Sequence, residues 1–226
     1  LNTLNYYRDQ VRELNTDVNL DGLVPNFERT LTYREPPQRK VLRRFEFPEL
    51  KGRGAWVVDF IGNGKSSRVL VRKGRLRHLV RTGTAGHVFT VLDESANTVP
   101  DATIWLGGQL YSADKAGSIH IPFTTSPAAQ PLILVHNGFA SFDRFSHESE
   151  NYTFAAGILV DRESLLGRRK AQVVIRPSLS VNGTPVSVSM LDNVRLRITS
   201  TNRDGVASTR EVGEIELADT AESVHD

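Results

Sequence analysis

The 226-residue chain has no cysteine, one methionine and two tryptophans. Without thiols there can be no disulfide, thiolate zinc centre, thiol nucleophile or internal thioester. Missing cysteine does not fix the compartment. No apolar run approaches the roughly 18 residues a membrane-spanning helix needs, and no signal segment is visible. The first residue is Leu rather than Met, so a processed chain or a piece of something longer is expected. Catalytic signatures are scarce too. There is no G-x-S-x-G elbow, and none of the six histidines (His78, His87, His120, His136, His147, His225) forms an H-x-x-x-H pair.

What is present is ordinary for a folded protein: 39% apolar and 24% charged residues. The net charge of +2 hides an asymmetry. Residues 34–81 hold 14 Lys+Arg against 4 Asp+Glu, and the remainder holds 14 against 22. Such a belt can bind a polyanion or dock against a neighbouring domain. Arg68, Arg72, Arg75, Arg77 and Arg81 are its densest run. Arg68 and Arg72 alternate with Val69 and Val71, as on a half-exposed strand, and the aromatic interleaving of a single-strand nucleic-acid platform is absent. A solvated face or domain contact is the plainer reading.

Secondary structure reads as strands and turns. Residues 4–14 place Leu4, Tyr7, Val11 and Leu14 at spacings of 3, 4 and 3, which predicts a short amphipathic helix. Alternation or apolar runs predict strands at 27–33, 40–47, 55–61, 67–72, 76–80, 88–92 and 102–106, then 110–111 and 118–123. Further strands are expected at 131–137, 139–145, 153–160, 170–176, 184–191 and 194–200, with one more at 211–217 and a loose acidic tail at 218–226. Asn63-Gly64 marks a hairpin, and Asn137-Gly138, Asn182-Gly183 and residues 202–205 mark turns. Glu35-Pro36-Pro37 and Pro48 end the strands before them. The stretch 88–123 has the most regular strand–turn rhythm and is the expected centre of one sandwich.

Two motifs invite a functional reading. Gly62-Asn63-Gly64-Lys65-Ser66 resembles the end of a phosphate-binding loop. The required earlier glycine is Asp59, however, and a strand follows instead of a helix. A hairpin turn is the better account. Asp17, Asn19, Asp21 and Glu28 fall at positions 1, 3, 5 and 12 of a calcium loop, with Gly22 at 6 and Val24 at 8. Against that stand Pro25 at position 9, a strand-like continuation and the single copy. The alternative is an Asx-rich turn between helix and strand, and the spacing alone leaves both open. Serine and aspartate are common enough that a Ser–His–Asp relay also stays open at this level. Asn151-Tyr152-Thr153 and Asn182-Gly183-Thr184 are sequons that matter only on a eukaryotic secretory route.

The run from Gly54 to Phe60 (GAWVVDF), followed by 64–71 (GKSSRVLV), resembles the closing hairpin of a macroglobulin-type domain in bacterial alpha-2-macroglobulin-like proteins. Val91, Asp93, Pro100, Ala102 and Ile104 match the opening of the next domain in that family. Asp114, Gly117 and Pro122 match its "D-x-x-G-x-x-x-x-P" turn. Leu159-Val160-Asp161-Arg162-Glu163 stands where such proteins start another domain. The resemblance implies tandem seven-strand sandwiches in a large exported protein, secreted or of the periplasm and cell envelope, that engages other proteins. The family's thioester needs a cysteine that this chain lacks, and its bait segment is not recognisable here.

These readings lead to an all-β chain of two to three tandem immunoglobulin- or macroglobulin-like antiparallel sandwiches with one short N-terminal helix. The expected divisions are 1–75, 76–149 and 150–226. The expected role is a non-catalytic structural or protein-interaction module, with no catalytic, cofactor or metal residues. Its partners would be neighbouring domains of the same parent chain or another protein, without a membrane span and with nucleic acid disfavoured. The alternative is a polyanion- or carbohydrate-binding module that uses the belt at 34–81.

Overall fold

Elementary strand grammar dominates the computed structural model, which describes residues 1–36, 38–161, 163–165 and 170–225. Pro37, Arg162 and Asp226, which enter the expected strand stop, domain start and acidic tail, lie outside the described residues. Two compact units form. The first comprises Leu1–Val80, Phe89–His120 and Ala129–Ser146; the second comprises Arg81–Val88, Ile121–Ala128 and His147–Asp226.

The N-terminal helix α1 (Thr3–Gln10) starts where the Asn2 side chain accepts the Asn5 N–H at 3.1 Å. It ends at Val11, which takes a left-handed φ of 49° and sends its N–H to the Tyr7 carbonyl. That conformation costs a β-branched residue about 1–2 kcal/mol. The turn is offset by burial, because it lets Leu14 and Val18 join Tyr7 in one core. Strands β1 (Gly54–Gly62) and β2 (Lys65–Lys73) form an antiparallel hairpin. Its two turn residues, Asn63 and Gly64, have φ of 52° and 68°, as the tight hairpin turn requires.

Seven strands follow as a sandwich: β3 (Arg77–Gly83), β4 (Gly86–Leu92), β5 (Thr103–Leu106), β6 (Gln109–Ser112), β7 (Ser118–Ile121), β8 (Ala128–His136) and β9 (Phe139–His147). One sheet has the order β3-β4-β7 and the other β6-β5-β8-β9. In immunoglobulin lettering this is A-B-E against C′-C-F-G, with the fourth strand paired to the third rather than to the fifth. Alternation along the strands turns Phe89, Val91, Ile104, Leu106, Ile119, Leu132, Leu134 and Phe145 inward, and all are buried. Phe89 and Phe145 meet edge to face at 5.0 Å. The outer face of β8 and β9 is covered as well. Ile133 and Ala140 are buried with Tyr7, Leu14, Val18 and Ala55, and Trp105, Val135 and Phe142 pack beside them.

In the second unit, β10 (Tyr152–Val160) pairs with β11 (Val173–Val181) over nine residues. The other side of β11 carries β12 (Thr184–Val186) and β15 (Ser223–His225). A separate hairpin joins β13 (Leu196–Thr201) to β14 (Ala207–Val212). Val173, Ile175 and Ile215 form the small core between these pieces. The Asn182 side chain accepts the Asn151 N–H at 3.1 Å and donates to the Ser149 carbonyl at 2.9 Å, while its own N–H bonds the Asn151 carbonyl at 2.9 Å. One residue thus fastens the open end of the β10–β11 pair.

Three Asx turns repeat one solution. Asp93 accepts the N–H groups of Ser95 and Asn97, Asp114 those of Ala116 and Ser118, and Asn202 those of Asp204 and Val206. Those backbone bonds hold the Asp93 and Asp114 carboxyls below the usual carboxylate range.

Several expected strands are absent. Residues 27–33 and 40–47 alternate correctly, yet both are irregular and Leu42, Phe27 and Tyr33 are exposed. Alternation defines a face, but a strand also needs a hydrogen-bonded neighbour, and none is formed among the described residues. The expected strand at 184–191 stops at Val186, where Ser187 caps a 3-10 turn. The one expected at 211–217 lies earlier, at β14, because the Asn202 turn sets the register. The tail expected to be loose supplies β15.

Phe89→Ala removes the largest fully buried side chain and is expected to cost about 3–5 kcal/mol in urea unfolding. Gly86→Ala would set a Cβ 2.3 Å from the Ile121 carbonyl oxygen at a φ of 131°, and is expected to cost about 3 kcal/mol. An unchanged midpoint for either would contradict this packing.

Candidate functional site

The belt is the feature that composition singles out, and Arg43, Arg53, Arg68 and Arg72 of it are engaged within the first unit. Asp59 and Arg68 sit directly opposite on β1 and β2. Their side chains pair at 2.8 and 3.2 Å, and the hydrogen bond from Arg68 holds the Asp59 carboxyl below its usual range. The third nitrogen of Arg68 donates to the carbonyls of Thr16 and Val18 at 3.2 and 2.9 Å. Arg72 pairs with Glu13, Arg53 with Glu94 and Asp93, Arg43 with Glu35, and Lys73 donates to the Leu50 carbonyl. Thus Arg68 and Arg72 of β2 fasten the loop after α1. Arg34, Arg39, Lys40 and Arg44 are exposed, as are Arg75, Arg77 and Arg81 of the densest run.

A cleft of about 510 Å³ opens beside Arg72. Tyr7, Glu13, Arg72, Arg75, Ser141 and Asp143 are among its walls. Burial, then the neighbouring Glu13 carboxylate, pushes the Tyr7 phenol above its ordinary value. The cleft is held by backbone bonds to side chains: Ala140 N–H donates to Thr3 Oγ1 at 3.0 Å, and Leu76 N–H donates to Ser141 Oγ at 2.8 Å.

His78 Nδ1 lies 3.1 Å from Asp143 Oδ2, and the ring packs on Phe89 at 5.5 Å. This His–Asp pair is two thirds of a hydrolytic relay. Ser141 is two residues away, but its hydroxyl faces the Leu76 N–H. Two further histidines of the first unit also face carboxylates. His120 bonds Asp114 at 3.2 Å and His136 lies 3.2 Å from Asp101. In the second unit His87 and His147 are both buried, with ring centroids 5.4 Å apart. His147 Nε2–H donates to the Pro122 carbonyl at 2.8 Å, and His87 Nε2 accepts the Glu148 N–H at 3.2 Å. Sequence spacing missed this pair because 60 positions separate its members; sheet pairing alone brings them together.

The calcium pattern does not gather. Among the described residues no group of three or more His, Asp or Glu could hold a metal ion. The Asn19 side chain accepts the Asp21 N–H at 2.8 Å, Asn15 does the same for Asp17, and Gly22 takes a φ of 76°. These are Asx turns of the kind weighed as the alternative. Gly62–Ser66 is the tip of the β1–β2 hairpin and offers no helix N-terminus to a phosphate. No helix among the described residues is long and apolar enough to cross a membrane.

Two family descriptions match. Residues 1–74 match the AbpF first immunoglobulin-like domain, and 161–226 match the AbpF third immunoglobulin-like domain. The whole chain is also similar to "Actin-binding protein F" of Dictyostelium discoideum, with 36% identity over 234 residues. That alignment covers 100% of this chain and 10% of the relative, so the chain spans about a tenth of the relative's length. No solved structure matches. The chain therefore carries immunoglobulin-like domains, as its strand pattern suggests. The finer resemblance to a bacterial macroglobulin finds no support in these matches.

Burial, then the adjacent His147, lowers the pKa of His87 from its ordinary value near 6.5. The unfolded chain therefore takes up a proton more readily than the folded one, and stability falls as pH drops below about 6.5. Urea midpoints measured from pH 7.5 to 5 are expected to decline less steeply in His87→Gln than in the parent chain. For Thr3→Val, the buried Ala140 N–H loses its acceptor, at an expected cost of about 1–3 kcal/mol. Equal urea midpoints for variant and parent would exclude that bond as a support of the cleft.

Proposed function

We propose that the chain is an actin-engaging, non-catalytic segment of a longer protein, composed of three tandem immunoglobulin-like domains over 1–75, 76–149 and 150–226. The observation that carries this reading is the 36% identity of the whole chain to a stretch of a protein described as actin-binding. The matches to a first and a third immunoglobulin-like domain at its two ends support the threefold division. The local chemistry is in keeping with recognition: the Ser141 hydroxyl accepts the Leu76 N–H beside the His78–Asp143 pair, and Glu13 and Arg72 of the cleft pair with each other. Domains in series suit contacts that are weak singly and strong together. The exposed cations at Arg34, Arg39, Lys40 and Arg44 would steer the segment toward an acidic protein surface.

Co-sedimentation with filamentous actin tests this. The chain is expected to pellet with filaments, and the triple variant Arg34→Glu, Arg39→Glu, Arg44→Glu is expected to bind at least about tenfold more weakly. A parent chain left in the supernatant at low salt would refute the proposal. The second reading, a polyanion- or carbohydrate-binding module, is favoured by the excess of 14 Lys+Arg over 4 Asp+Glu in residues 34–81. Tight heparin binding with steep salt dependence, in a chain that ignores actin, would select it.

A further inference from the structure

Edge strands expose unpaired N–H and C=O groups, and proteins usually blunt them with charge, proline or short length. Among the described residues, almost every sheet edge of this chain follows that rule. Asp59 lies in β1, and Lys65, Arg68, Arg72 and Lys73 lie in β2. Strand β3 carries Arg77 and Arg81, β9 carries Asp143 and Arg144, β13 carries Arg197, and β14 carries Arg210 and Glu211. Strands β6 and β7 have four residues each; β12 and β15 have three, and β12 contains Pro185.

Strand β10 departs from this rule. It is nine residues long and reads YTFAAGILV, without a charge or a proline. Its one neighbour is β11, whose opposite side is taken by β12 and β15, so the outer edge of β10 is unpaired among the described residues. Its side chains are also exposed: Tyr152 by 46%, Phe154 by 48%, Ile158 by 57% and Leu159 by 69%. Tyr152, Phe154 and Ile158 lie opposite Val181, Leu179 and Ile175 of β11, on the same sheet face.

We propose that β10 pairs edge to edge with β10 of a second copy of this chain, antiparallel about Ala156. The segment is its own complement in that register. Tyr152 meets Val160 of the second copy, Phe154 meets Ile158, Thr153 meets Leu159, Ala155 meets Gly157, and the two Ala156 residues face each other. Aromatic and β-branched side chains are the favoured cross-strand partners, and no pair sets like charges together. The apolar faces of both copies become one continuous surface. A hetero-partner would need a matching uncharged strand, which nothing in the chain specifies; the two-fold register is specified by the chain itself. Self-pairing would give each particle two copies of the actin-engaging segment, but does not depend on that role.

The absence of cysteine makes the register testable by single thiols. The parent chain is expected to sediment as a dimer at about 100 µM, a concentration at which a small interface associates. Opposed Cα atoms on paired strands lie about 4.5–5.5 Å apart, within the range a disulfide bridges. Under mild oxidation Ala156→Cys is expected to give a covalent dimer in high yield. Thr153→Cys and Leu159→Cys are each expected to remain largely uncrosslinked alone, and to crosslink when mixed. Ala156→Lys should be monomeric with an unchanged circular dichroism melt, since residue 156 is exposed. A parent chain monomeric at about 100 µM would overturn the proposal. So would indiscriminate crosslinking of all three thiols, or a dimer that survives Ala156→Lys.

Discussion

The first unit depends on one constraint: its four-stranded sheet is apolar on both faces at β8. Leu132, Ile133 and Leu134 are consecutive and fully buried, so alternation places Leu132 and Leu134 inside the sandwich and Ile133 outside it. The sandwich covers only its own interior. The outer face needs another layer, and helix α1 with the loop that carries Leu14 and Val18 supplies it. An eight-residue helix is too short to be stable alone; here it is held by the surface it covers. The left-handed turn at Val11, the Thr3 hydroxyl under Ala140 and the Arg68 contacts to Thr16 and Val18 all follow from fitting that layer.

This arrangement changes what the positive belt means. Composition shows a block of cations, and a block of cations suggests a ligand. In place, Arg53, Arg68 and Arg72 face carboxylates and carbonyls of their own unit. Their worth lies in geometry, since partly exposed ion pairs contribute little energy while a guanidinium fork can bridge two chain segments. Other exposed cations lie both in the irregular segment before β1 (Arg34, Arg39, Lys40, Arg44) and from β2 to β3 (Lys65, Arg75, Arg77, Arg81).

Much of the architecture was legible from residue order. The Asn63-Gly64 turn identified the β1–β2 hairpin, and the rhythm of 88–123 identified strands β4 to β7. The apolar run at 131–137 marked strand β8, and the structure shows it buried on both faces. Residues 27–33 and 40–47 show the limit: their alternation is as regular as that of β5, but pairing is a property of a neighbour. The His87–His147 pair was hidden for the same reason. The uncharged run of β10 was visible in the sequence, yet its meaning required knowing that it lies at an edge. Resemblance to macroglobulin domains rested on strand and turn spacing, which sandwiches share because they solve the same packing problem; it pointed to the architecture and not to the lineage.

Asn182 has a mechanical consequence. The chain enters β10 at Tyr152 and leaves β11 at Val181, and these two residues lie opposite each other. Tension along the polypeptide between those points would peel the ladder open one rung at a time from that end, the weakest way to load a hairpin. Asn182 sits at the first rung, tying Asn151 and Ser149 to itself through backbone and side chain together. It works as a rivet at the tip of a zipper: while it holds, force is shared by three bonds before any of the nine paired positions behind it is exposed.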